Sequence, residues 1–94
     1  FNAQEALRIG FVHEVAAAEQ LDAKVAEIAN ALCSAGPQAV KACKKLLHEV
    51  AGRELSQPLT LQTVAAIADI RASAEGREGV QSFLLKRKPG WLGA

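Results

Sequence analysis

The chain has 94 residues, which suits one domain at most. Half of the residues are apolar, but 19 are alanine, so bulky core-formers are fewer than that share implies. A net charge of +1 excludes a whole-molecule field that would draw the chain to nucleic acid, and no apolar run reaches the roughly 18 residues of a membrane span. The chain begins with Phe1 rather than Met and shows no basic start followed by an apolar stretch. No signal peptide is therefore expected, and the sequence reads as a piece of a longer protein. Cys33 and Cys43 have neither CxxC nor metal-ligand spacing and are expected as inert packing thiols in a reducing cytoplasm.

The opening NAQEALRIG predicts a short helix, with Asn2 as N-cap, Glu5 three residues later in capping-box fashion, and Gly10 at the left-handed C′ position. FVHEVA alternates and predicts a short strand near 11–16. From about 19 to 35, Leu21, Val25, Ile28, Ala29 and Leu32 recur at helical spacing. In SAGP, Gly36 is expected to end that helix and Pro37 to open the next. The inner face of this next helix is Val40, Cys43, Leu46, Leu47 and Val50, and Gly52 ends it. Ser56 and Pro58 announce a further helix to about Ala72. Between Glu54 and Arg71 its only charge is Asp69, so it is apolar nearly all round and must be buried on several sides. That points to a partner chain or to a missing part of the same protein. Ser73 caps a last helix from about Ala74 to Arg87 or Lys88, where Pro89 stops it.

Few groups suggest chemistry. His13 and His48 are the only histidines and read as surface or turn residues. GxSxG, HExxH, Walker and GxGxxG motifs are absent, and nothing in the spacing supports a Ser56–His48–Asp69 triad. Glu75 and Glu78 are expected in the first turn of the last helix, complementing its positive end. Basic residues concentrate in KACKK at 41–45 and KRK at 86–88. If the last helix runs to Arg87, Phe83, Lys86 and Arg87 share a face at i, i+3 and i+4. A ring beside two cations can stack on a purine while holding a phosphate. The same cations also suit an ordinary helix C-terminus.

Three stretches resemble the crotonase, or enoyl-CoA hydratase/isomerase, superfamily, in that family's order and over essentially the whole chain. FNAQEALRIGFVHEVAAAEQL resembles the segment that closes the family's spiral core. AGPQAVKACKKLL resembles its following helix pair. SAEGREGVQSFLLKRKPGW resembles its C-terminal signature, with Gly76 and Trp91 as departures. The resemblance implies an all-α C-terminal region of four to five helices without the spiral core, with 1–16 the end of that core and 17–94 the helical oligomerisation region. It implies that Phe83 packs near an adenine, that Lys86 lies near nucleotide phosphates, and that Arg87 is a weaker candidate for the same site. Coenzyme A would be the substrate's carrier group, not a cofactor of the protein, and no metal is implied. The oxyanion-holding N–H groups and catalytic acids of the family would precede Phe1, so these residues supply no catalytic group. The expected activity of the parent is hydration of 2-enoyl-CoA thioesters, within fatty acid metabolism and in a trimer or hexamer. The expected partners are acyl-CoA and further copies of the chain, without nucleic acid or membrane. Isomerase or thioester hydrolase chemistry, and an independent helical module binding an acidic partner, are the other readings.

Overall fold

In the computed structural model residues 1–93 are described. They are all-α, with helices α1 (Ala3–Arg8), α2 (Leu21–Ser34), α3 (Pro37–Val50), α4 (Gln57–Ala72) and α5 (Ala74–Leu84), and 3-10 turns at Ala18–Gln20 and Gly90–Leu92. The described residues form two compact units, one of Phe1–Ala31 and one that begins at Leu32.

In the first unit, the Asn2 side chain accepts the Glu5 N–H at 2.9 Å, as a cap should. Glu5 does not return to the Asn2 N–H. Its carboxylate instead takes Arg8, one turn on, at 2.8 and 2.5 Å, which lowers the Glu5 pKa and raises that of Arg8. Gly10 takes the left-handed C′ position, with φ +76°. The Gly10 N–H donates to Leu7 O and the Phe11 N–H to Ala6 O, which makes a Schellman closure. This closure removes the strand expected at 11–16. The Phe11 and Val12 N–H groups both turn back to Ala6 O, so they are not available to a strand partner. The segment is a series of bends, its Phe11 ring edge-on to Phe1 at 5.7 Å. Along α2, Leu21, Val25 and Ile28 remain exposed, and Lys24 pairs with Glu14 and Glu27 at 3.2 and 3.0 Å.

In the second unit α3, α4 and α5 pack on one another. Ser56 caps α4 through the Leu59 N–H at 3.3 Å, and Ser73 caps α5 through the Gly76 N–H at 3.0 Å. Gly52, with φ +70°, turns the chain after α3. The α3–α4 hairpin is tied by Gln62, which donates to Glu49 at 3.1 Å and accepts from Arg53 at 2.9 Å. Burial is sparse. Ala6, Gly36, Leu59 and Ser82 are the buried residues among those described, and Leu61, Val64 and Ile67 of α4 are at least 56% exposed. The cysteines expected as packing residues are exposed and free.

Gly36 does not end α2, which stops at Ser34. It is the N-cap residue of α3 with an ordinary φ of −61°. A glycine cap has no side-chain oxygen, so α3 borrows one. The Glu75 carboxylate accepts the N–H groups of Gln38 and Ala39 at 3.1 and 2.9 Å. A Cβ on Gly36 would stand 2.5 Å from the same carboxylate. Glycine here admits the Glu75 carboxylate at close range rather than serving a left-handed turn, and a side chain would have to push that carboxylate aside. Gly76 is under a harder constraint, because a Cβ there would overlap the Ile70 carbonyl of α4, which is backbone and cannot swing aside.

Because Gly36 and Glu75 serve one cap, their losses should not add. Gly36→Ala and Glu75→Ala are each expected to destabilise the protein by about 1 kcal/mol. The double variant should lose little more than either single one. Denaturant melts of the three variants check this, and a fully additive double variant would show that Glu75 does not cap α3.

Candidate functional site

The C-terminal turn is built from α5. Glu75 and Glu78 are one helical turn apart and so share a face. Only Glu75 lies in the first turn, and both carboxylates serve segments other than their own helix end. Glu78 accepts both terminal nitrogens of Arg87 at 2.6 and 2.8 Å, and the Gly90 N–H at 2.8 Å. The Arg87 fork and the Gly90 N–H together hold the Glu78 carboxyl far down, at about 2 against an ordinary 4.5. The Arg87 pKa is raised in return by the Glu78 carboxylate. Four residues after Arg87, Trp91 Nε1 donates to Ser34 O at 3.1 Å, and its ring lies against Gly79, where a Cβ would approach it to 3.3 Å.

These contacts explain why α5 stops at Leu84 and does not run on to Arg87. Lys86 is left-handed, with φ +52°, the one non-glycine residue with positive φ among those described. The Lys86 N–H donates to Phe83 O at 3.2 Å and the Arg87 N–H to Ser82 O at 3.0 Å. This is the Schellman closure of α1 again, with lysine in the place glycine holds there. A side chain in that conformation costs roughly 1–2 kcal/mol relative to glycine.

The three residues expected to hold ligand thus do not form one helical face. Phe83 lies in the last turn of the helix and is 82% exposed. Lys86 sits in the reversed turn, exposed, and its ammonium has no hydrogen bond or ion pair among the described residues. Arg87 is committed to Glu78. Sequence reasoning missed the roles of Glu78 and Trp91. A lone acid followed nine residues later by Arg carries no short-range periodicity that would reveal a turn.

Elsewhere, His13 and His48 are exposed, and Ser56 is occupied as a cap. Among the described residues no three of His, Cys, Asp and Glu come together. Among the described residues, no helix is long and apolar enough to cross a membrane. An apolar groove of about 260 Å³ runs along α3 and α4, lined by Ala39, Cys43, Leu46, Ile67 and Ile70.

With an all-α fold and a basic turn closing it, the comparisons are informative. The enoyl-CoA hydratase/isomerase family matches residues 1–94, and the chain belongs to that family, the crotonase superfamily. A crystal structure from Legionella pneumophila, described as an enoyl CoA hydratase/isomerase (crotonase), superposes with a TM-score of 0.91 at 32% identity, covering 97% of this chain and 35% of that one. Enoyl-CoA hydratase domain-containing protein 3, mitochondrial, of Mus musculus is 33% identical over 90 residues, covering 96% of this chain and 30% of its own length. Crotonyl-CoA hydratase of Syntrophomonas wolfei is 32% identical over 91 residues, covering 97% and 35%. The chain therefore spans about a third of the length of the relatives it matches.

The Glu78 clamp has a pH signature. The folded-state pKa is depressed, so its contribution to stability is fully present above about 4.5 and is lost as pH falls through about 2. Both partners touch water, so salt should weaken the effect. Trp91, the chain's single tryptophan, reports it. Its fluorescence is expected to shift as pH falls from 4.5 toward 2. Glu78→Gln should show the shifted spectrum already at neutral pH. Identical acid profiles for the two proteins would remove the clamp from the account.

Proposed function

We propose that the protein carrying this chain hydrates 2-enoyl-CoA thioesters. In this reading residues 1–93 contribute one wall of the coenzyme A site and an assembly surface, and the catalytic groups lie in the two thirds of the family length outside this chain. The observation that carries the ligand half is the Lys86 turn, an unpaired ammonium on a reversed, hydrogen-bonded backbone three residues after an exposed aromatic ring. A ring of that kind offers a face to an adenine, and the ammonium offers a point charge to a phosphate. Phe83 and Lys86 take those two roles. Arg87 is reassigned to holding the turn.

The exposed apolar stripe Leu61, Val64 and Ile67 supports the assembly half. Exposed apolar surface of this kind marks an interface, and the proposed occupants are further copies of the protein in a trimer or hexamer. The same stripe disfavours an independent module with a polar exterior. The Mus musculus relative bears a mitochondrial name, and two free thiols suit a reducing interior there as well as in the cytoplasm.

The full-length protein is expected to consume crotonyl-CoA, followed as loss of the enoyl-thioester absorbance, and the 94-residue chain alone is expected not to. Release of free thiol, or double-bond migration without hydration, would replace the hydratase by a hydrolase or an isomerase. Turnover by the short chain would overturn the placement of catalysis elsewhere.

A further inference from the structure

Lysine occupies a position where the backbone favours glycine, and α1 of the same chain uses glycine for the identical closure. A strained residue persists only where its surroundings over-determine it. Here they do. The turn is closed by its own two backbone hydrogen bonds, and the segment after it is held at Glu78, by Arg87 and Gly90, and at Ser34, by Trp91. Of the three successive cations at 86–88, the one best suited to grip an anion bidentately, Arg87, is turned inward to a carboxylate. The ammonium groups of Lys86 and Lys88 have no partner among the described residues.

We infer that Glu78 is a positioning residue for Lys86. It touches no ligand, but by holding Arg87 and the Gly90 N–H it keeps Lys86 in its left-handed turn, with the ammonium free for the phosphates of coenzyme A. This rests on the coenzyme reading proposed above. Glu78 also sets the charge seen by an incoming anion, because it cancels Arg87 and leaves the Lys86 and Lys88 ammonium groups uncancelled, with Lys86 the one held in the left-handed turn.

The test uses the full-length protein with Glu78→Gln, Lys86→Gln, the double variant and Arg87→Lys. Amide hydrogen exchange reads the positioning without any ligand. The Lys86 and Arg87 amides are expected to exchange about tenfold faster or more in Glu78→Gln, while amides of α3 and α4 keep their protection. Unchanged exchange at Lys86 overturns the inference. Coenzyme A affinity, measured by calorimetry at two salt concentrations, reads the consequence. Lys86→Gln is expected to weaken binding about tenfold and to flatten its salt dependence. Glu78→Gln should weaken binding to a smaller degree and add nothing to that loss once Lys86 is gone, while steepening the salt dependence, because it leaves the Arg87 charge uncancelled. A fully additive loss means that Glu78 acts by another route and overturns the inference. Arg87→Lys keeps the charge but loses the fork, and is expected to fall between wild type and Glu78→Gln in both readouts, which keeps the test open should Glu78→Gln fold poorly. Coenzyme A binding indifferent to Lys86→Gln would overturn the coenzyme reading instead, since the exchange result needs no ligand.

Discussion

The carboxylate of Glu78 gathers three donors, two from the Arg87 fork and one from the Gly90 backbone. An isolated ion pair in contact with water stabilises little, because solvent screens it and two long side chains must be ordered. A bidentate pair that also takes a backbone N–H is different, since one oxygen pair fixes both a side chain and the path of the chain. The helix end at Leu84, the reversed Lys86 and the return of Trp91 to Ser34 all depend on that point.

Close approach is the second requirement, and small residues meet it. Gly36 admits Glu75 to the first turn of α3, Gly76 lets α5 start against the last carbonyls of α4, and Gly79 receives the Trp91 ring. The cost of building with small residues appears in the burial. Ala6 and Leu59 are the buried apolar side chains among the described residues, and long apolar side chains on α2 and α4 remain in water. Helices of this composition pack closely but remove little apolar surface, so the second unit is organised by polar clamps and caps as much as by a core.

Membership of the enoyl-CoA hydratase/isomerase family defines the kind of protein this is, while the chain spans about a third of the length of its relatives. A shared fold does not select among the reactions such a family performs. What this region offers is narrower: a hydrogen-bonded basic turn three residues after an exposed phenylalanine, and exposed apolar side chains on α2 and α4. Glu75 caps α3 and Glu78 clamps the C-terminal turn.

Local signals were legible in the sequence wherever the cause was local. Asn2, Ser56 and Ser73 cap the helices that their positions announced, Gly10 and Gly52 are left-handed, and the apolar periods placed α2, α3 and α4 to within about two residues, because helices start and stop on short-range hydrogen bonds. Phe83 and Lys86 were also legible as a ring and a cation in one turn. The strand at 11–16 was not, since alternation says nothing about whether a partner strand exists, and the Schellman closure claimed the donors first. Nor was the early end of α5, because the residues at 85–88 are acceptable in a helix and only the pull of Glu78 on Arg87 and Gly90 takes them out of it. By itself the sequence determined which segments are helical and where most of them are capped. Only the tertiary structure decided which carboxylate serves which segment, and so which cation stays free, because those partners lie 9 to 37 residues apart along the chain and meet only after the helices have packed.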